Sequence, residues 1–387
     1  MKRLLYIAFK NFSNLHFGGN TKVLSQCRAF SEYGYDVDLI GRQDVDTVLI
    51  KNDVCVQRLS NGKVKIGNAR LQNLMAKQKQ FRDIKKYIQN KQYDACFIRY
   101  DFSDPGFIKL LKALRRVCPK IALELPTYPY EEENKYGLLS KAKMVVDKAF
   151  RKKLHKYIDF IVTFYPGYPT LFGIPVLLVP NGFDFSEMSM VKQELPTDVI
   201  HIAAVSSMRE WHGYERFLEG MREYYHGNDT NQRNIVLHLV GNGREYTKYK
   251  RLIEAYGLQK HVILEGAMHG EKLDVLYEKC ALGIDSLARH RSGISVLSSL
   301  KSREYGAKGI PMINSCKIDI IEEDFPYLLQ VPADETPVDM QSVIDFYDQC
   351  YRTGKSRAEV GREIRDYIEA KSGMKQTLGA VVKRLES

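Results

Sequence analysis

Short apolar runs alternate with stretches in which apolar residues recur every third or fourth position, and this pattern fills the chain from end to end. The runs suit strands buried on both faces and the spaced stretches suit helices that cover them, so the alternation predicts an α/β fold with parallel sheets. In the first half strands are expected at Leu4–Phe9, Asp36–Ile40, Ala95–Arg99, Ile121–Leu125, Phe160–Phe164 and Val176–Val179. Helices are expected near 20–33, 79–90, 105–116 and 140–157. The polar stretch Ser186–Asp198, with Pro196 near its end, breaks the pattern and reads as a linker. It restarts with strands at Val199–Val205, Ile235–Val240, Val262–Glu265, Leu282–Asp285, Met312–Asn314 and Tyr327–Val331, and helices near 214–226, 244–256, 271–280, 300–308, 336–352 and 356–370. The amphipathic end, about 372–386, is expected to pack back on the first domain. Two successive α/β sheets bind ligands at the carboxyl ends of their strands.

At 387 residues the chain has the length of two ordinary domains, and 44% hydrophobic with 27% charged residues is a globular composition. No apolar run reaches the roughly 18 residues a spanning helix needs. The start, Met1 to Lys10, is too briefly apolar for a signal peptide and reads as a first buried strand. Cys27, Cys55, Cys96, Cys118, Cys280, Cys316 and Cys350 are odd in number and lack metal-ligand spacing, which points to reduced thiols in a cytoplasmic protein and no zinc site. The net charge of +11 calls for an anionic partner: nucleic acid, acidic membrane or a phosphorylated small molecule.

Ser298 to Ile313 narrows that choice. It reads as a short helix ended by Gly309 and followed by a buried strand from Pro311. Ser298, Ser299 and Leu300 stand where backbone N–H groups lack partners, and Lys301 and Arg303 add cations where helices ordinarily favour acids. Such a turn suits phosphate. Glu304, one turn further in, suits the two hydroxyls of a ribose, and together these imply a nucleotide diphosphate site.

Other motifs are weaker. Gly18-Gly19-Asn20 follows the first strand and opens a helix, where glycines permit close approach to a ligand; a plain turn explains them equally well. His16 precedes that turn. Gly241-Asn242-Gly243 begins like a dinucleotide fingerprint, but Tyr246 holds the third glycine position, so it reads as a tight turn by the ligand site. Asp36-Val37-Asp38 and Asp44-Val45-Asp46 match a short metal-binding pattern that arises often by chance, and no metal is expected. Residues 135–156 alternate Lys135, Lys141, Lys143, Lys148, Arg151, Lys152, Lys153 and Lys156 with apolar positions, a basic amphipathic helix suited to anionic lipid headgroups or to an ordinary core face. Nucleic acid is disfavoured, since no aromatic residues interleave with the charge.

The ordered series Val179-Pro180-Asn181-Gly182-Phe183-Asp184, Ala203 to Gly213 ending in Trp211-His212-Gly213, Leu237 to Gly243, Val262 to Gly266 and Leu300 to Pro311 resembles the retaining GT-B glycosyltransferases of family 4 over roughly residues 158–315. The resemblance implies two Rossmann-like, doubly wound domains facing across a cleft. The first, 1–187 with a returning helix 371–387, would bind the acceptor, and the second, 188–370, the nucleotide sugar. Glu304 matches the second glutamate of the family's E-x7-E motif, implying a bond to the donor ribose, whereas Val296 stands where the first would contact the sugar. The family's diphosphate-binding arginine and lysine fall near Ser207 and His212, with Arg209, Arg303 and above all Lys301 the nearest cations.

The expected activity is transfer of a sugar, from UDP-sugar in particular, to a glycan, lipid-linked or protein-linked hydroxyl with retention, in surface polysaccharide (capsule) or glycoconjugate synthesis. Lys301, Glu304 and His212 are the expected catalytic residues. Gly18, Gly19, Ser207, Arg209, Gly241, Ala267, Met268, Ser298, Ser299, Leu300 and Arg303 are the expected donor contacts, and His16, Glu124, Thr127 and Tyr128 the acceptor-side candidates. No cofactor is expected. The expected location is cytoplasmic, peripheral at the inner membrane face through 135–156. The alternative is a non-catalytic GT-B partner of another transferase, motivated by Val296 and the missing basic pair.

Overall fold

A computed structural model describes residues 1–13, 18–60, 69–128, 130, 138–196, 198–227, 232–352 and 354–387. They form two units, Met1–Asp184 with Met374–Ser387, and Phe185–Gly373.

The first unit runs β1 (Lys2–Asn11), α1 (Gly18–Glu32), β2 (Tyr35–Gln43), β3 (Asp46–Lys51), β4 (Val54–Arg58), α2 (Ala69–Ile88), β5 (Ala95–Arg99), α3 (Pro105–Leu114), β6 (Lys120–Glu124), α4 (Leu138–Arg151), β7 (Phe160–Thr163), β8 (Thr170–Leu171) and β9 (Ile174–Leu178). Its sheet has the order β4-β3-β2-β1-β5-β6-β7-β9-β8. The strands from β2 to β9 are parallel, and β3, β4 and β8 add antiparallel edges. Along β1 the side chains alternate. Leu5, Ile7 and Phe9 meet Phe81 and Ile84 of α2 and Phe107 and Leu110 of α3. Leu4, Tyr6 and Ala8 instead join Val23 and Phe30 of α1 and the last helix of the chain. A strand buried on both faces must be apolar at nearly every position, which is why β1 reads as a continuous run.

The β3–β4 hairpin, the longer α2 and the short strands Thr170–Leu171, Val296–Leu297 and Lys317–Ile318 depart from the sequence reading. The β3–β4 hairpin was not expected; its turn places Asn52 and Asp53 at φ 47° and 62°, the left-handed pair a tight hairpin requires, without the glycine that usually marks it. The α2 helix begins at Ala69, ahead of the expected 79; in its first half Leu74 and Met75 are exposed while Lys77 is buried, so apolar positions do not mark the face it packs. The two short acidic motifs serve this edge. Asp38 is buried and accepts from Tyr87 (3.0 Å) and Tyr93 (2.5 Å), Asp36 pairs with Lys51 (2.8 Å), and Asp46 pairs with Arg58 and Lys79 (both 3.2 Å). Among the described residues no group of three His, Cys, Asp or Glu is placed to hold a metal ion, and no helix is long and apolar enough to cross a membrane.

The second unit runs β10 (Val199–Val205), α5 (Tyr214–His226), β11 (Asn234–Val240), α6 (Tyr246–Ala255), β12 (Val262–Gly266), α7 (Glu271–Lys279), β13 (Leu282–Ile284), β14 (Val296–Leu297), α8 (Leu300–Lys308), β15 (Met312–Asn314), β16 (Lys317–Ile318), β17 (Leu328–Gln330), α9 (Met340–Tyr351) and α10 (Arg357–Ser372). Its parallel sheet has the order β12-β11-β10-β13-β15-β17, with β14 and β16 paired apart. The chain winds outward from β10 in one direction and from β13 in the other, so the switch point lies between those two strands.

The last helix, α11 (Met374–Glu386), belongs to the first unit, where Met374, Leu378, Val381, Val382 and Leu385 enter the α1 face of its core. The segment after β9 fastens it. Asn181 Oδ1 accepts from Lys22 Nζ (2.5 Å), Asp184 pairs with Arg28 (2.8 Å), and Met374 N donates to Phe183 O (2.8 Å).

A buried carboxylate holds α4 to this sheet. Asp147 accepts from Tyr100 Oη, from Tyr130 Oη (2.6 Å) and from Ser103 N (2.6 Å), with Arg151 3.6 Å away. Replacing Asp147 by Leu strands three donors, each costing about 1–3 kcal/mol when left unsatisfied. The variant is expected to lose roughly 3 kcal/mol or more, read as a lower urea midpoint at unchanged slope.

Candidate functional site

The loops that follow β10 and β13 meet at the switch point. Gly213 has φ 61°, and a Cβ there would lie 2.5 Å from Ala288 Cβ, so only glycine lets the two loops approach. Leu287 N donates to His212 O (2.8 Å), and buried Arg216 donates to the carbonyls of Leu287, Pro332 (3.0 Å) and Thr336 (2.8 Å). The turn Gly241-Asn242-Gly243 is pressed against the same region: a Cβ on Gly241 would lie 1.8 Å from Ser206 O. Its glycines serve backbone packing.

At this point Asp285 is fully buried just beyond β13, and Lys301 reaches back from the first turn of α8 to meet it. The ammonium lies 3.0 Å from Asp285 Oδ1 and 3.2 Å from Ser286 Oγ, and also donates to Asp285 O. Burial alone would raise the Asp285 carboxyl, but Lys301 and Arg289 outweigh it and hold it below the usual carboxylate range. Burial lowers the Lys301 ammonium, with Asp285 opposing. Arg289 and Asp285 were missed in the sequence. The basic run Arg289-His290-Arg291 was the available signal, and the fold sorts it: His290 (2.7 Å) and Arg291 (2.9 Å) bind Glu335, while the Arg289 guanidinium lies 5.5 Å from the Trp211 ring centre and its Nε has no hydrogen-bond partner among the described residues.

The expected donor residues separate into groups. Lys301, Arg289 and Arg209 all lie close enough to act on His212; Arg209 is half-buried, and Ser207, in the loop after β10, is exposed. Ser299 caps α8, its Oγ accepting from Lys301 N (3.0 Å), so that N–H is already engaged. Leu300 is exposed. Arg303 is a correction. It is 0% exposed and spent on Asp319, Ser298 Oγ (3.3 Å) and Ser299 O (3.0 Å), so it braces the turn before α8 and offers nothing to a ligand. Ser298 donates to the same Asp319 (2.5 Å). Glu304 is half-buried, with Oε1 accepting from Tyr277 Oη (2.8 Å); burial raises its carboxyl, with Tyr277 and Lys308 pulling the other way. Val296 is half-buried in β14, while Ala267 is exposed and Met268 half-buried after β12.

His212 does not supply a charge. Its ring is buried, Nδ1 accepts from Arg209 N (2.8 Å), and the ring stacks on Tyr214 at 5.6 Å. Burial, then Lys301, Arg289 and Arg209, push its pKa far below the ordinary histidine value and keep it neutral. Cationic His212 is therefore replaced by a neutral ring that positions Arg209.

In the first unit, Gly18 and Gly19 open α1, and His16 lies outside the described residues. Glu124 is a correction as an acceptor-facing group. It is buried at the end of β6, accepting from Gln26 Nε2 (2.8 Å) and from Arg99. Burial would raise this carboxyl, but Arg99 and Lys22 hold it ionised. Thr127 and Tyr128 are half-buried, and Tyr128 packs edge-on against Tyr168 (4.9 Å), Tyr130 and Phe172 (both 6.1 Å).

The neutral His212 has a consequence for stability. Unfolded, it binds a proton near pH 6.5; folded, it does so only at much lower pH. The folding free energy it supports is therefore complete above about pH 6.5 and declines as pH falls below that value. In urea titrations at pH 5 and pH 7.5, His212→Gln is expected to show a smaller difference in midpoint than the native protein; an equal difference refutes the assignment.

Residues 186–302 match the family model described as Glycosyl transferases group 1. No curated protein matches the chain. Among solved structures, the chain is similar to sucrose-phosphate synthase from Thermosynechococcus elongatus at TM-score 0.67 and 17% identity, covering 100% of this chain and 99% of that one. A glycosyltransferase from Rickettsia africae gives TM-score 0.64 at 12% identity, covering 100% and 98%. An E. coli structure described as trehalose-6-phosphate bound with UDP-2-fluoro glucose gives 0.60 at 12% identity over 100% of this chain. At such identities the likeness is one of fold. The group 1 glycosyltransferase match thus covers residues 186–302, and over its whole length the chain shares the two-unit α/β fold of these structures.

Proposed function

We propose that this glycosyltransferase moves a sugar from a nucleotide diphosphate donor, a UDP-sugar, to a hydroxyl acceptor with retention at the anomeric carbon. The observation that carries the reading is the gathering of Lys301, Arg289 and Arg209 at the switch point of the second sheet, with Glu304 one helical turn beyond. In the transition state the bond from the anomeric carbon to the diphosphate oxygen breaks as the acceptor oxygen approaches. Negative charge then grows on the departing diphosphate. Fixed cations and the start of α8 stabilise that charge without reorganising. The acceptor proton passes to the departing phosphate oxygen, so no protein base is needed. Arg289 and Arg209, beside the Lys301–Asp285 pair, supply the charge for which a metal would otherwise be used, and the fold neighbour bound with UDP-2-fluoro glucose supports the choice of nucleotide.

Glu304 presents its carboxylate for the ribose hydroxyls. Hydrogen bonds to a charged group contribute about 1.5–3 kcal/mol each. Glu304→Ala is therefore expected to weaken UDP binding about tenfold or more by calorimetry, with Arg289→Ala lowering turnover more than binding. Unchanged UDP affinity in Glu304→Ala rules the nucleotide site out. Half-buried Val296, apolar where family members carry a carboxylate, favours the second reading, a non-catalytic partner protein. UDP binding without release of UDP from any of several UDP-sugars would establish that reading instead.

We further propose a lipid-linked glycan acceptor at an anionic membrane face, in surface polysaccharide synthesis. Support comes from α4, where Val145 (69% exposed) and Val146 (38%) project among exposed Lys141, Lys148, Lys152 and Lys153. Co-sedimentation with vesicles containing phosphatidylglycerol is expected to fall several-fold in Val145→Asp and at high salt. Equal sedimentation with neutral vesicles overturns it.

A further inference from the structure

The carboxyl end of the first unit's sheet carries more buried cations than its carboxylates can balance. Arg99 is matched by Glu124, and Lys77, itself buried, is matched by Asp101 at 2.8 Å and stacked over Phe102 at 3.4 Å. Asp101 also serves Lys143 at 3.3 Å. Arg42 is left over. It lies near the end of β2 beside Asn11 of β1 and is 7% exposed. Among the described residues its Nε and Nη1 have no hydrogen-bond partner, and no carboxylate lies within 4 Å of it. Lys10, half-buried on the neighbouring strand, has no ion-pair partner among those residues either. Gln80, fully buried in α2, donates to Ala8 O (3.1 Å), and among the described residues its Oε1 has no hydrogen-bond partner.

A buried guanidinium without a counterion is costly, and such a group is normally paired. Burial accordingly lowers the Arg42 guanidinium, with Asp101 opposing too weakly to restore it. It also lowers Lys10 to about 8, with Arg99 adding to the effect and Glu124 and Asp101 opposing. A negative charge added beside Arg42 would relieve it.

We propose that this end of the sheet is a subsite for an anionic group, phosphate or carboxylate, carried by the sugar-accepting substrate, with Arg42 as its principal ligand. The proposal rests on the glycosyl-transfer reading, because it assigns the charge to the acceptor. Arginine suits the role, since its fork meets phosphate or carboxylate oxygens in pairs. An acceptor so held would be distinguished from its uncharged counterpart by a charge-assisted bond.

The test uses the full chain and calorimetry with glucose 6-phosphate, glucuronate, inorganic phosphate and glucose, and with UDP as a separate ligand. Binding of the sugar phosphate or of the sugar acid, with none of glucose, is expected, and the one that binds identifies the anion. Arg42→Met is expected to weaken that binding about tenfold or more, to leave UDP affinity unchanged, and to melt no lower than the native protein in the absence of anions. Absence of binding by both charged sugars, or undiminished binding in Arg42→Met, overturns the proposal. Inorganic phosphate binding alone, without either charged sugar, also overturns it. Loss of UDP binding in the native protein would instead count against the nucleotide reading and is measured separately.

Discussion

Asp285 stands on the far side of β13 with no exposure to water, and a carboxylate in that position stays ionised only if a cation is delivered to it. Lys301 is that cation. Because Lys301 belongs to the first turn of α8, the pair fixes where the helix begins relative to the sheet. Ser299 then caps the helix, and Arg303 with Asp319 secures the turn before it. Removing one member of such a buried pair costs about 3–5 kcal/mol. A loss of activity on replacing Lys301 would thus mix folding with chemistry. The ammonium is largely neutralised by Asp285, so the surplus charge at the switch point rests with Arg289 and Arg209.

Much of the architecture was legible because burial on both faces leaves a strong mark. β5 appears as the run Ala95–Arg99, and β10 as Val199–Val205, with the bounds that periodicity gives. The edge hairpin was hidden because β4 is largely exposed and carries Gln57 and Arg58 among its valines. Side-chain roles were harder to read. A cation in the first turn of a helix looks alike whether it serves a phosphate or a distant acid. Lys301 and Arg303 differ only in that Asp285 and Asp319, remote in sequence, lie beside them in the fold. His212 suffered the same ambiguity: neither its burial nor the nearby Arg289 is visible from the Trp-His-Gly triplet. Arg289 escaped notice because two of the three residues in its basic run are consumed by Glu335.

The net charge of +11 is therefore not spread evenly over a solvated surface. Part of it decorates α4, where exposed lysines surround exposed valines. Another part is buried, where each cation needs a reason. Arg216 and Arg357 have theirs in backbone carbonyls, which they gather from separate segments. Arg42 has no such carbonyls, which sets it apart from the other buried arginines.

The two units repeat one electrostatic device on different sequences. Each sheet ends in a buried carboxylate, Glu124 on β6 and Asp285 after β13, and each is neutralised by one cation, Arg99 or Lys301. Each end then carries cations beyond that balance, Arg42 with Lys10 in the first unit and Arg289 with Arg209 in the second. The carboxylate does not cancel the site, because it is satisfied by its own partner. What it does is fix a cation-bearing frame in a region of low dielectric, where the remaining charges act more strongly than they would in water. A surplus that is only partly solvated raises the free energy of the empty protein and lowers that of the occupied one. The same imbalance that costs stability thus favours anionic ligands at the ends of both sheets.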